Sequence, residues 1–282
     1  KDVRVAVRYF HKDRKNILAS VLWDKPTDRY WYTYDGAPDW WVPFTTTIPA
    51  YGSFPAKEVT MYFQSPNAPA QLSRLTNVPE AKYQYRSVEV SLDKRMSNGW
   101  QLGGSVNLTK LTGNYPITVS DFSSYGIFAS PNAFVNADGE MPYSRPVLIK
   151  LYGTFKLPYQ LMFSFFYLHT DGSPWGRTVT VNPPASWVSA KQVKSTSYRI
   201  NVETPGTRRN EASDSLDLRI EKIFNIASEY RLGLIFDVFN VFNDDTVTSW
   251  GDRIGYDWYP NDPTYAPSTQ GHDLYGIILP RR

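Results

Sequence analysis

The chain has 282 residues and no cysteine, so neither a disulfide bond nor a thiolate nucleophile is available to it. Its net charge of +3 is small and its charged residues are interspersed, which argues against a nucleic-acid-binding surface. No stretch approaches the roughly 20 apolar residues that a membrane-spanning helix needs.

Aromatic residues make up 16% of the chain, with 20 Tyr and 9 Trp. Such abundance is typical of membrane β-barrels, which carry aromatic girdles at both water–lipid interfaces. The mean hydropathy of −0.42 is compatible with this class, because only alternate residues of a barrel strand face lipid.

The N-terminal region predicts two strands and then a long loop. Residues 3–9 alternate between apolar and polar or small side chains, and this period of two is the signature of a strand. The polar run HKDRK at residues 11–15 predicts a turn, and residues 16–23 predict a second strand. Residues 24–80 lack a period and are rich in proline, glycine and aromatic residues, so we expect a loop with one strand-like patch at residues 59–63.

A hairpin is predicted next. Residues 83–96 and 100–109 alternate on either side of Asn98-Gly99. The Asn-Gly pair favours a two-residue hairpin turn, because both residues tolerate positive φ. A second long loop is expected over residues 111–144.

Another hairpin follows, with strands over residues 145–157 and 160–170 joined across Pro158-Tyr159. Residues 171–214 predict a third long loop, with strand-like pieces at residues 177–181 and 197–202.

The clearest alternation lies in residues 215–243, where two strands flank a short polar turn at residues 226–229. One face of this hairpin is apolar apart from Lys222 and consists of Leu216, Leu218, Ile220, Phe224, Leu232, Leu234, Phe236 and Val238. The other face carries charges that we expect to pair across the ladder, namely Asp217, Arg219, Glu221, Arg231 and Asp237. Residues 243–273 predict a fourth long loop.

Short turns thus alternate with long connections along the whole chain. Up-and-down antiparallel topology produces this pattern, with the turns at one end of the strands and the long loops at the other. We therefore predict an all-β fold: an antiparallel up-and-down transmembrane β-barrel, represented by a partial wall of about eight or nine strands with long extracellular loops.

Two segments carry a family resemblance. They are EVSLDKRMSNGWQLGGSVNLTKLTGN at residues 89–114 and LDLRIEKIF…DVFNVFN within residues 216–243. Both resemble the C-terminal barrel of TonB-dependent outer-membrane receptors, most closely the branch with a carboxypeptidase-regulatory-like N-terminal domain. The resemblance implies a location in the bacterial outer membrane and uptake of a scarce solute, such as a glycan, a peptide or a metal chelate.

The resemblance also implies partners. These are outer-membrane lipid, the remainder of the barrel with its plug domain, and a TonB-type inner-membrane complex that acts through the plug. Receptors of this kind close with about 22 strands. We therefore expect residues 1–282 to be the C-terminal part of the barrel, without a plug domain.

Two alternatives remain. A non-transporting structural or adhesin subunit of the outer membrane could use the same wall. A soluble carbohydrate-binding or hydrolytic β-sandwich would need a second apolar layer and a pair of carboxylates. The sequence contains no Gly-x-Ser-x-Gly, phosphate-loop or His-Glu-x-x-His motif, and we expect no enzymatic activity.

Aromatic residues of two long loops are the candidate ligand-binding residues, because Trp and Tyr rings stack on sugars or cover apolar ligands. They are Trp31, Trp40, Trp41, Trp250, Trp258 and Tyr259. The alternative is that these rings anchor the interface or pack the loops.

An acidic group is the candidate metal site. Asp244, Asp245 and Asp252 offer carboxylate oxygens, which suit calcium, although their spacing fits no EF-hand pattern. Aspartates are also ordinary turn residues. No other cofactor is expected.

Overall fold

The computed structural model describes residues 2–30, 38–68, 72–114, 127–128, 130–226, 230–246 and 253–258, with the backbone alone for residues 73, 127–128 and 253–258. Its strands are β1 (Val3–Asp24), β2 (Arg29–Tyr30), β3 (Trp41–Ile48), β4 (Lys57–Gln64), β5 (Leu72–Ser97), β6 (Trp100–Gly113), β7 (Ile127–Phe128), β8 (Gly139–Glu140), β9 (Val147–Leu157), β10 (Leu161–Thr170), β11 (Pro174–Trp175), β12 (Thr178–Val181), β13 (Tyr198–Asn201), β14 (Arg208–Arg209), β15 (Ser213–Asn225), β16 (Arg231–Val238) and β17 (Arg253–Trp258). One α-helix, α1, spans Ala185–Ser189, and short 3-10 turns lie at Pro38–Trp40, Pro131–Phe134 and Pro158–Gln160.

One large antiparallel sheet dominates the fold. Its order is β16-β15-β10-β9-β6-β5-β1-β2, with β7 added parallel to β1 and β8 added to β6. Seven long strands, β1, β5, β6, β9, β10, β15 and β16, are neighbours in the order in which they follow along the chain. The sheet curls into an open half-barrel, which confirms the predicted all-β, up-and-down antiparallel architecture.

Tight turns join the long strands at one end of the sheet. Asn98 and Gly99 have φ of 51° and 82°, the left-handed pair that a two-residue hairpin turn needs. Tyr159 and Gln160 are likewise left-handed, at 62° and 58°, after Pro158. Both predicted turns are confirmed, and they fix the register of the strands beside them.

The predicted turn at residues 11–15 is wrong. These residues lie inside β1, which runs unbroken for 22 residues and pairs with β5 from Val3↔Lys94 to Trp23↔Leu72. The run contains neither Gly nor Pro, and its polar side chains are compatible with an exposed strand. The two predicted N-terminal strands are therefore one strand, and the described part of the wall has seven long strands where we expected about eight or nine.

A bulge sits where the turn was expected to end. The register between β1 and β5 shifts between Lys15 and Ile17, and Asn16 between them has φ of 53°. On β5 the three residues Pro79, Glu80 and Ala81 lie opposite this single residue, and Pro79 has no N–H to give to the ladder. The irregularity at this position is therefore a bulge within a continuous strand pair and not a reversal of the chain.

The long connections at the other end of the sheet form smaller sheets. β3 pairs with β4, β11 pairs with β14, and β12 lies between β13 and β17. The strand-like patches predicted at residues 59–63, 177–181 and 197–202 correspond to β4, β12 and β13. In the described segments of the chain, no helix has the length and apolar character to cross a membrane.

Buried apolar residues lie mainly in these connections. The largest cluster comprises Ile48, Val59, Met61, Phe63, Val179, Val181, Val193, Ile200 and Val202. A second cluster joins Leu22, Trp40, Trp41 and Ala68, and a third joins Ala19, Val21, Val78 and Ala81. We call the structure built by β3, β4, β11–β14 and α1 the loop body. It has a protein core of its own, whereas the buried apolar residues of the wall are small groups on the loop-side parts of β1 and β5.

In two strand pairs of the wall, an aromatic ring packs over a glycine on the neighbouring strand. A Cβ added at Gly103 would lie 2.4 Å from the ring of Tyr152, its partner on β9. A Cβ at Gly153 would lie 2.7 Å from the ring of Phe165, its partner on β10. Each ring covers the space above a glycine and thereby packs across the ladder.

We expect Gly153→Ala to destabilise the wall by about 1–3 kcal/mol, because the new methyl group must displace the Phe165 ring and also approaches the carbonyl of Gln101 to 3.1 Å. Gly233→Ala on β16 is the matched control, since its methyl group would meet only a Glu221 oxygen at 3.7 Å. Urea unfolding followed by tryptophan fluorescence compares the two variants. Equal midpoints would show that the ring–glycine contact does not stabilise the sheet.

Candidate functional site

The first candidate functional surface is the apolar face of the wall. Because the strands are paired in register, their apolar rows join into one continuous surface, the apolar band. Its members include Val3, Val5, Val7 and Tyr9 of β1, Val88, Val90 and Leu92 of β5, Leu102, Val106 and Leu108 of β6, Val147, Ile149, Leu151 and Phe155 of β9, Phe163, Phe165 and Tyr167 of β10, Leu216, Leu218, Ile220 and Phe224 of β15, and Leu232, Leu234, Phe236 and Val238 of β16.

Many of these side chains are far more exposed to solvent than the side chains of a soluble protein's core. Val7 is 68% exposed and Phe236, at the opposite end of the sheet, is 66% exposed. Contiguous apolar patches of this kind mark surfaces that meet lipid or another protein. No carboxylate belongs to the band.

The opposite face of the wall is polar and cross-linked by side-chain hydrogen bonds. Arg219 donates to Asp237 on the neighbouring strand at 2.6 Å and 2.9 Å, as predicted for the charges of this hairpin. Thr154 and Ser164 are hydrogen-bonded at 3.0 Å, and an ion pair joins Arg8 to Glu89. The two faces of the sheet therefore differ in polarity along its whole width.

Two lysines mark the turn end of the apolar band. Lys94 lies 3.9 Å from the centre of the Trp100 ring and donates to Ser97 and to the Trp100 carbonyl. Lys222, the predicted interruption of the apolar row, lies 5.4 Å from the Phe224 ring and donates to the carbonyl of Tyr159. Both ammonium groups thus reach back to the turns, where water is available.

A buried charge cluster organises the loop body. The side chain of Arg177 is 1% exposed and donates to the carbonyls of Pro49 and Pro55 at 3.0 Å and 3.4 Å. Its backbone amide donates to the Glu203 carboxylate at 3.1 Å. Arg208 donates to the same carboxylate at 2.9 Å and 3.1 Å, and its guanidinium lies 4.1 Å from the ring of Phe54.

The pKa values of this cluster follow from its burial. Burial raises the pKa of Glu203, but the hydrogen bonds from Arg208 and from the Arg177 amide, together with both positive charges, outweigh burial and hold that pKa below its ordinary value. Burial lowers the pKa of Arg177, against the attraction of Glu203. Arg177 and Glu203 are buried, so the role of the cluster is to hold the connection of residues 171–212 against that of residues 25–71.

A cleft of about 550 Å³ opens between the loop body and β5. Its polar lining includes Glu58, Glu80 and Asn136, and its apolar lining includes Val59, Pro131 and Phe134. Both carboxylates are exposed. Such a mixture of charge and apolar wall is suited to a small ligand with a cationic group.

The structure describes the side chains of two of the six predicted aromatic ligand residues. Trp40 and Trp41 are 4% and 2% exposed and pack in the cluster with Leu22 and Ala68. Trp31, Trp250 and Tyr259 lie outside the described residues, and of Trp258 only the backbone in β17 is described.

Two of the three predicted acidic residues are described. Asp244 accepts hydrogen bonds from the backbone amides of Asp214 and Thr246 at 2.6 Å and 2.9 Å, whereas Asp245 is exposed. Asp252 lies outside the described residues. Within the described ranges, no group of three or more metal-ligating side chains comes together.

Sequence reasoning missed the Arg177–Glu203–Arg208 cluster and the cleft. Their contacts join connections that are far apart in the sequence, and the residues carry no motif. The alternation in residues 177–181 was the only available signal, and it indicated a strand without indicating a buried arginine at its start.

No protein-family model matches the chain, and no curated protein matches it either. Among solved structures, the outer membrane transporter YddB from Escherichia coli is similar, with a TM-score of 0.44 and 10% sequence identity. The alignment covers 89% of this chain and 28% of that protein, so the chain spans little more than a quarter of its length. A similarity this low carries no argument about function.

We expect the loop body to lose stability in acid. Because Glu203 has a lowered pKa in the folded state, the unfolded chain takes up the proton first as the pH falls below the ordinary value of 4.5. The contribution of Glu203 is complete above that value and is lost as the pH falls through the lowered pKa. Glu203→Gln removes this contribution at all pH values, by about 3 kcal/mol, because two arginines lose their counter-charge.

Thermal melting of both proteins from pH 7 downwards measures this effect. The difference in melting temperature between Glu203→Gln and the parent chain should be large at neutral pH and shrink in acid. Exposed Glu211→Gln is the control and should follow the parent throughout. A constant difference between Glu203→Gln and the parent chain at every pH would contradict the assignment.

Proposed function

We propose that the chain forms part of the wall of a TonB-dependent-type transporter barrel in the bacterial outer membrane. One observation carries the proposal: seven consecutive strands expose a continuous apolar band on one face and a hydrogen-bonded polar network on the other. A membrane barrel needs this arrangement, because lipid covers its outside while its inside meets water or a plug.

The exposures distinguish this arrangement from a β-sandwich. A sandwich buries its apolar face against a second sheet. Here the apolar row of β1, from Val3 to Tyr9, is 58–68% exposed, and the largest buried cluster lies in the connections. Hydrocarbon is the partner that would cover such a face.

Strand lengths support the same conclusion. β9 and β10 have 11 and 10 residues, which is close to the roughly 9–11 residues that a tilted strand needs to cross the bilayer. β1 and β5 are longer, with 22 and 26 residues, and their extra length rises towards the loop body.

The edge of the sheet favours a larger barrel. In the part of the chain that the structure describes, β16 has a ladder partner on one edge only. An edge left open in hydrocarbon costs several kcal/mol for each backbone group without a partner. Further strands of the same barrel would supply those partners, and the polar face would then surround a plug through which an inner-membrane TonB-type complex drives solute uptake.

A matched pair of substitutions on β16 tests which face meets lipid. Phe236 lies on the apolar band and its neighbour Ile235 on the polar face, and both are exposed, at 66% and 55%. We expect Phe236→Arg to disfavour membrane insertion by about 2–4 kcal/mol, whereas Ile235→Arg points its charge away from lipid and costs much less.

The measurement is the fraction of each variant that inserts into phospholipid vesicles, read as the heat-modifiable band in electrophoresis. A soluble sheet would tolerate both arginines equally, since both positions face water. Equal insertion of the two variants, or a parent chain that stays monodisperse without detergent and shows no heat-modifiable band, would overturn the proposal.

A further inference from the structure

Three basic side chains form a row across β1, β5 and β6. His11 is the ladder partner of Arg86, and Arg86 is the partner of Lys110. We call these three residues the basic row. All three are exposed. Neighbouring strands are about 4.8 Å apart, so the three side chains start within about 10 Å of one another.

The basic row lies directly at the edge of the apolar band. Each of its members lies two residues from the last band residue of its strand. These last band residues are Tyr9 on β1, Val88 on β5 and Leu108 on β6. Side chains two residues apart share a face, so the row points to the same side as the band. The rings of Tyr9 and His11 are stacked, with centres 6.5 Å apart.

The basic row lacks the counter-charges that other cations of this chain have. Arg8, on the opposite face of β1, pairs with Glu89, and Lys82 pairs with Asp138 at 2.6 Å. Among the described residues, no carboxylate lies within ion-pairing distance of Arg86 or Lys110, and the next same-face residue after His11, Asp13, faces Lys15 at 3.9 Å.

Two like charges directly opposite each other destabilise an antiparallel pair. Arg86 and Lys110 are such a pair, on the side of the band that is nearer to the long connections. An anion held between them would relieve this repulsion. A phosphate group matches the site, because its several acceptor oxygens can take hydrogen bonds from a guanidinium and an ammonium together.

We propose that the basic row binds the phosphate of a membrane lipid headgroup whose acyl chains lie on the apolar band. The inference rests on the proposed membrane location and adds a lipid contact to it. The band supplies the apolar part of the site and the row supplies the charge. A lipid is favoured over free phosphate because the row is continuous with the band at the Tyr9–Val88–Leu108 level.

The test uses the full chain in detergent with an equimolar mixture of phosphatidic acid and phosphatidylcholine of the same acyl chains. Native mass spectrometry counts the lipids bound. We expect phosphatidic acid to be enriched, and Arg86→Gln with Lys110→Gln to reduce that enrichment by about fivefold or more. Millimolar inorganic phosphate should leave the enrichment of the parent chain unchanged.

Lys12→Gln with Lys150→Gln is the control, because it removes the same charge from exposed positions on the polar face. It should retain the enrichment. An equal loss in both double variants would indicate a general effect of charge and overturn the proposal, as would displacement of the lipid by inorganic phosphate. A chain that binds neither lipid and is monodisperse without detergent would instead refute the membrane location itself.

Discussion

The antiparallel backbone ladder is the constraint on which the rest of this structure depends. Seven strands pair in one register, and that register decides which side chains share a face. A slip of one residue would exchange the apolar and polar faces of a strand. The left-handed turns at Asn98-Gly99 and Tyr159-Gln160 prevent such a slip. The glycines opposite Tyr152 and Phe165 strengthen the strand pairing by allowing the rings to pack over them.

The same constraint divides the molecule into two parts with different sources of stability. The wall buries few apolar side chains, so its backbone ladder and whatever covers its apolar band must hold it together. The loop body has a core of its own around Met61, Phe63 and Val181, and a buried arginine joins its connections. Lipid around the wall and water around the loop body would satisfy both parts.

Charges are distributed in agreement with this division. Basic residues border the apolar band at both ends, with Lys94 and Lys222 at the turns and the basic row at the other end, while no carboxylate belongs to the band itself. Lys94 and Lys222 are engaged by carbonyls and aromatic rings. Arg86 and Lys110 face outwards without a carboxylate among the described residues, which makes the two borders chemically different.

The sequence alone was sufficient for the period-two faces, the tight turns and the alternation of short and long connections, because each is set by residues adjacent in the chain. It was insufficient at residues 11–15, where a polar run suits both a turn and an exposed strand, and only pairing with β5 distinguishes them. It was also silent about the burial of Arg177, the packing of Trp40 and Trp41, and the alignment of His11, Arg86 and Lys110. Those features depend on which distant segments the ladder brings together, and no local pattern encodes that.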